Sequence, residues 1–148
     1  MERELPTSLL MFIASRAAAD RVFSAMHEAG FTDVTIAQAR LLMGLDTEGT
    51  RLGTLADRAQ IAKQTATALV DRLERAGYVE RVPDPSDGRA RLVRMTPRAK
   101  AALPIARAEE ARIEAEWEAH LGPKRMGQLR EALTALREIT DPYQSAHP

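Results

Sequence analysis

The stretch that most constrains the fold is Leu52–Thr96, LGTLADRAQIAKQTATALVDRLERAGYVERVPDPSDGRARLVRMT. Its start puts Leu52, Leu55, Ala56 and Ala59 on one side of a short helix, which Gln60-Ile61 breaks in a tight turn. In the next segment, Ala62, Ala66, Leu69, Val70, Leu73 and Ala76 fall on one stripe at about 100° per residue. The spacing predicts a second helix over Ala62–Ala76, stopped by Gly77. Tyr78–Val82 and Arg91–Met95 carry strand-forming residues on either side of a Pro/Asp/Gly tip. That pattern predicts a hairpin whose loop is longer than two residues. Helix, tight turn, helix and ribbon, in that order, outline a winged helix-turn-helix.

The second helix turns a distinctive face away from its apolar stripe. Lys63, Gln64, Thr67, Ala68, Asp71 and Arg75 occupy it, with Thr65 and Arg72 at the margins. A merely solvated face would be denser in Glu and Lys, whereas this one begins with small, neutral hydrogen-bonding groups. Glutamine reads adenine edges, threonine offers a hydroxyl or a methyl, and a helix of this width fits the major groove. The hairpin tip offers Arg89, and the return strand offers Arg91 and Arg94. An arginine on a thin ribbon suits a narrow minor groove, where the negative potential is enhanced. Asp87 is positioned to pair with Arg89, which would hold the loop or orient the wing.

Charge distribution supports the same partner. The whole chain is formally neutral. Residues 51–100 nevertheless hold eleven Lys/Arg against six Asp/Glu, a balance of +5, and the remainder carries −5. A basic block inside a neutral chain predicts a localised contact with a polyanion, which the helix and ribbon above identify as double-stranded DNA. The bland alternative is chance clustering on a solvated surface.

Leu5–Ala29 reads as a long helix, with Leu9, Phe12, Ile13, Phe23 and Met26 at mostly three- and four-residue steps, ending at Gly30. Thr35-Ile36-Ala37-Gln38 fits a capping box, and Leu41, Leu42 and Leu45 make the buried face of the helix it opens. Thr96-Pro97 starts another helix, running to about His120, in which Pro104 predicts a kink or a break. Gly122-Pro123 separates it from a last helix, about Lys124–Ile139, whose stripe is Met126, Leu129, Leu133, Leu136 and Ile139. Asp141-Pro142 ends that helix, and the tail is expected to fray.

The expected fold class is mainly α with a small β-wing (α+β), a winged helix-turn-helix with N- and C-terminal dimerisation helices. The 148 residues form one subunit, with the DNA-binding lobe at 35–96 and the dimerisation helices at 5–30 and 97–141. A homodimer would place two recognition helices about one turn of DNA apart, multiplying a modest affinity.

Other classes find little support. No apolar run approaches the roughly 18 residues that span a bilayer, and MERELPTSLL lacks a signal-peptide pattern, so a cytoplasmic protein is expected. There is no cysteine for disulfides, thiolate zinc sites or thiol redox sensing. The histidines, at 27, 120 and 147, are scattered, and there is no Ser/His/Asp set or Gly-rich phosphate loop. No catalysis, cofactor or metal is expected. Glu110, Glu114 and Glu118 repeat at four-residue steps, which reads as a solvated face in the absence of His or Asp to complete a ligand set. A winged helix kept for protein interaction, without DNA, is the competing functional class.

The chain resembles the MarR family of bacterial transcriptional regulators. The resemblance rests on LGTLADRAQIAKQTATALVDRLERAG and on the wing Asp84-Pro85-Ser86-Asp87-Gly88-Arg89 followed by LVRMT, and the helix order extends it over nearly the whole chain. It implies a triangular dimer on a pseudo-palindromic operator, usually a repressor, often released by a small aromatic or phenolic ligand. The implied DNA-binding residues are Lys63, Gln64, Thr65, Thr67, Arg72 and Arg75 on the helix, with Arg89, its bracing acid Asp87, and Arg91 on the wing. The implied ligand pocket lies between the dimer helices and the lobe, near Phe12, Arg16 and Met43, for which core packing or a surface salt bridge is the plainer reading. Two positions depart from the family. Ala62 stands where Ser is common, removing an N-cap worth about 1 kcal/mol. Ala68 stands where Arg is common, removing a base or phosphate contact.

Overall fold

The structure, a computed structural model, describes residues 4–141. The expected fraying of the tail beyond Asp141 lies outside the described residues. The elements in order are α1 (Thr7–Glu28), α2 (Ile36–Met43), α3 (Leu52–Ala59), α4 (Lys63–Arg75), β1 (Val79–Asp84), β2 (Asp87–Met95), α5 (Pro97–Lys100), α6 (Leu103–Leu121) and α7 (Pro123–Thr140). The fold is mainly α, with one antiparallel two-stranded sheet.

The core sits in the winged lobe. Leu41 of α2, Leu55 and Ala56 of α3, and Ala66, Val70 and Leu73 of α4 close on Tyr78, Val79 and Val93. Burying each of the leucines and valines contributes about 1.5–3 kcal/mol, which fixes α4 on its apolar stripe and leaves its other face to solvent. Ala62 is the exception: it is exposed and serves as the N-cap of α4, without a side-chain cap bond. Its methyl lies one residue before the helical backbone, so it leaves the stripe. The capping box at Thr35 is formed, with Gln38 N donating to Thr35 Oγ1 and Thr35 N donating to Gln38 Oε1. Gln60 takes a left-handed conformation, φ 54°, and so turns the chain from α3 into α4.

The wing is anchored at its base by a third segment. Thr50 exchanges both backbone hydrogen bonds with Val93, at 2.8 and 2.9 Å. Gly49 precedes it at φ +112°, and a Cβ there would lie 2.9 Å from Leu92 Cβ. Gly49→Ala therefore meets both backbone strain and a clash. It should cost about 1–3 kcal/mol, measured as a lower midpoint in urea unfolding at unchanged m-value.

Pro104 breaks the helix as expected. α5 ends at Lys100, Ala101 and Ala102 form a turn, and Pro104 enters α6 in its first turn, where a missing N–H costs little. α6 then packs on α1, and α7 folds back on α6. Arg21 of α1 crosses to α6, where it bonds Glu109 (2.9 Å) and Glu116. Glu114 is paired with Arg130 of α7, and Glu110 and Glu118 are exposed.

The apolar stripes of α1 and α7 remain largely uncovered within the chain. α1 has no buried residue, and Leu9, Leu10, Phe12, Ile13, Leu129 and Leu133 are exposed. Among the described residues, no helix is long and apolar enough to cross a membrane.

Candidate nucleic-acid interface

The recognition helix presents the face expected of it. Lys63, Gln64 and Thr65 form its exposed first turn, and Arg72 and Arg75 are exposed further along. Neither Lys63 nor Gln64 has a side-chain partner among the described residues, so both are available to a ligand. Thr67 is half-buried, and its hydroxyl donates back to Lys63 O at 2.8 Å. An accepting lone pair and the methyl remain for a base or phosphate. Arg75 Nε donates to Asp71 O at 3.3 Å, a contact weak enough to exchange.

The wing differs from its expected form in two ways. Its turn is only two residues, Pro85-Ser86, because Asp84 pairs directly with Asp87. The extra length lies in the return strand: Pro83 pairs with Arg91, leaving Gly88, Arg89 and Ala90 without counterparts on β1. Pro83 has no N–H to extend the ladder, which accounts for the register shift at that point. The bulge pushes Arg89 outward, exposed and without a side-chain partner among the described residues. The second difference concerns the bracing acid. Asp87 Oδ1 accepts from the backbone N of Arg89 at 3.0 Å and does not hold its guanidinium. Its other carboxylate oxygen faces Arg51 at 3.8 Å. Asp87 thus shapes the bulge and leaves the Arg89 head free.

The acid that secures the wing is Asp84, which sequence reasoning passed over. Its carboxylate is buried and accepts from Ser86 N (2.8 Å), Ser86 Oγ (2.7 Å) and Arg51 Nε (2.8 Å). The Ser86 hydroxyl, the Ser86 amide and Arg51 hold its pKa down, from 3.8 to about 2. Because the folded wing favours the ionised form, this contribution is intact above about pH 4 and is lost as pH falls through about 2. The Ser86 amide resonance followed by NMR should titrate with a midpoint near 2. A midpoint near the ordinary 3.8 would mean that the cluster does not form. The Asp-Pro-Ser run is a turn signature that could have revealed it.

A second missed residue is Arg81 on β1. It donates to Asp71 and Glu74 of α4, both at 2.7 Å. Two carboxylates on the recognition helix are thereby neutralised before a polyanion approaches, and α4 is tied to the wing. Arg94, expected to face DNA, instead pairs across the hairpin with Glu80 at 2.7 Å. Glu80 and Arg94 are register partners, so the pairing follows from the hairpin alignment.

The far end of α4 is fastened to α5 and to the segment between α1 and α2. Arg98 of α5 stacks over the Tyr78 ring at 4.2 Å and donates to Ala76 O and to both carboxylate oxygens of Asp33. The Tyr78 hydroxyl donates to Asp33 as well. Burial, then the bond to Asp33, pushes the Tyr78 pKa up to about 12, while the Tyr78 bond holds Asp33 below its ordinary value.

In the implied pocket region, Phe12 is 58% and Met43 78% exposed, so core packing within this chain explains neither. Arg16 faces Asp20 at 3.9 Å, a surface salt bridge.

Comparison with known proteins agrees with the winged-helix fold. The family model described as MarR family matches residues 32–90. The transcriptional activatory protein BadR of Rhodopseudomonas palustris is 46% identical over 48 residues, 32% of this chain and 27% of that protein. The uncharacterized HTH-type transcriptional regulator YfiV of Bacillus subtilis is 33% identical over 69 residues, 46% of this chain and 43% of that protein. The chain thus matches less than half the length of either relative. Among solved structures, a crystal structure of MarR superimposes with a TM-score of 0.68 at 28% identity, covering 90% of this chain and 96% of that one.

Proposed function

We propose that this chain is a member of the MarR family of transcriptional regulators, whose family model matches residues 32–90, and that it works as a homodimer that represses transcription from a pseudo-palindromic operator in the cytoplasm. Its family is one of DNA-binding regulators and not of enzymes. The observation that carries the reading is the pairing of two free surfaces: the unpartnered first turn of α4, with Lys63, Gln64 and Thr65, and the Arg89 bulge on the wing. In this reading Gln64, Thr65 and Thr67 meet base edges in the major groove and Lys63, Arg72 and Arg75 meet phosphates. Arg89 enters the minor groove, Asp87 shapes the bulge that presents it, and Arg91 contacts the backbone. With Ala68 in place of an arginine, the helix makes a lighter set of contacts, and DNA shape carries more of the specificity.

The uncovered apolar faces of α1 and α7 support the dimer: exposed patches of this kind on a regulator mark an interaction surface. A small aromatic acid or phenol, bound between the dimer helices and the lobe, releases the DNA. BadR is called an activatory protein; for this chain, repression follows if the operator overlaps the promoter.

The test is a gel shift with DNA from upstream of its own gene, across a salt series and a panel of aromatic acids and phenols. Several phosphate contacts per subunit give a steep fall of affinity with salt. A flat response, or no shift, contradicts the reading.

A further inference from the structure

One cavity of about 430 Å³ opens between the first turn of α3, the start of α4 and the wing. It is lined by Arg51, Lys63, Arg81 and Arg91 and by no carboxylate. The cavities at the α1/α6 and α6/α7 junctions each include at least one glutamate. We infer that this cavity seats one phosphate of the DNA backbone, clamped between α3 and the wing. The inference rests on the DNA-binding reading and adds Arg51 and Thr54 to the surface.

Its cations are of two kinds. Arg51 is held by the buried Asp84, and Arg81 by Asp71 and Glu74, so neither has to be ordered when an anion arrives. Lys63 and Arg91 have no ion-pair partner among the described residues and are free to close on it. The forks of Arg51 and Arg81 are occupied by those carboxylates, so these two shape the wall, and the direct contacts fall to the Arg91 guanidinium and the mobile Lys63 ammonium. Thr54 lines the same wall, with its hydroxyl unpartnered among the described residues. Gly53 leaves the wall open, since a Cβ built there meets nothing within 4 Å. Lys63 and Arg91 also belong to the proposed groove-facing surface, so the clamped phosphate would lie on the strand running between recognition helix and wing.

Gly53 supplies the test. Gly53→Glu puts a carboxylate at the opening, where its first side-chain carbon meets nothing within 4 Å, and Gly53→Ala is the neutral control. Binding of the full chain to a duplex from its own upstream region is followed by fluorescence anisotropy over a sodium chloride series. Gly53→Glu should reduce the slope of log affinity against log salt by about 1 per subunit. Gly53→Ala should keep the parental slope and melt a few degrees higher, because alanine outranks glycine in a helix. Arg91→Gln, which breaks no ion pair among the described residues, should lose a similar slope, and the double variant Gly53→Glu/Arg91→Gln should lose less than the sum of the two. A parental slope for both Gly53→Glu and Arg91→Gln overturns the clamp. Inorganic phosphate that raises the melting temperature of the parent but not of Gly53→Glu, with DNA slopes unchanged, reassigns the cavity to a free anion and also overturns it. A parent that binds no DNA overturns the regulator reading, and the clamp with it.

Discussion

Leu133→Glu should convert the dimer to a monomer and lower affinity for a two-half-site operator by about 10²–10⁴-fold, the factor by which linking two modules exceeds one. Leu133 is 40% exposed on α7, in the stripe that also holds Leu129, and α1 adds Leu9, Leu10, Phe12 and Ile13 from the other terminus. α7 buries only Met126 within the chain. A glutamate at Leu133 therefore costs the isolated subunit little, because it replaces an exposed residue. In a dimer it would sit in an apolar interface and pay the desolvation of an unpaired charge. Light scattering after gel filtration reads the mass, and the gel shift reads the affinity. A variant that keeps the parental mass places the interface elsewhere.

Arg89→Ala should weaken operator binding by about 10–100-fold, corresponding to the ~1–3 kcal/mol of one specific arginine contact, while the melting temperature stays at the parental value. The two outcomes are linked by the bulge. The Arg89 head touches no partner among the described residues, and Asp87 holds only its backbone N–H. Removing the head leaves the wing intact. Arg51→Ala should behave differently, because it strips the buried Asp84 of an ion pair and loosens the wing. Calorimetry tells the two variants apart, since only Arg51→Ala should lower the melting temperature. An Arg89→Ala protein with parental affinity would show that the wing does not enter the groove.

Much of the lobe was legible in the chain because local signals agreed with tertiary ones. The α3 bounds follow the Leu/Ala spacing, the capping box at Thr35 forms as written, and Pro104 breaks the helix where its missing N–H demands it. The site was legible where it depends on a single helix face, as for Lys63, Gln64 and Thr65. It was less so where partners come from different elements. Arg81 meets Asp71 and Glu74 only once β1 lies along α4, and Arg51 meets Asp84 across 33 positions. Arg94 and Arg89 look equivalent as residues of one strand, and only the register shift beside Pro83 separates a structural arginine from a free one. The aspartate nearest in sequence to Arg89 looked like its ion partner, but a short side chain two residues away reaches the backbone amide more easily than the guanidinium.

The central claim is that two copies of this lobe read DNA together. Footprinting of the full-length protein on its own upstream region tests it most directly. Two protected half-sites about 10 base pairs apart, centre to centre, are expected on one face of the duplex, with protection lost in Leu133→Glu. A single protected half-site, or protection that Leu133→Glu leaves unchanged, would contradict it.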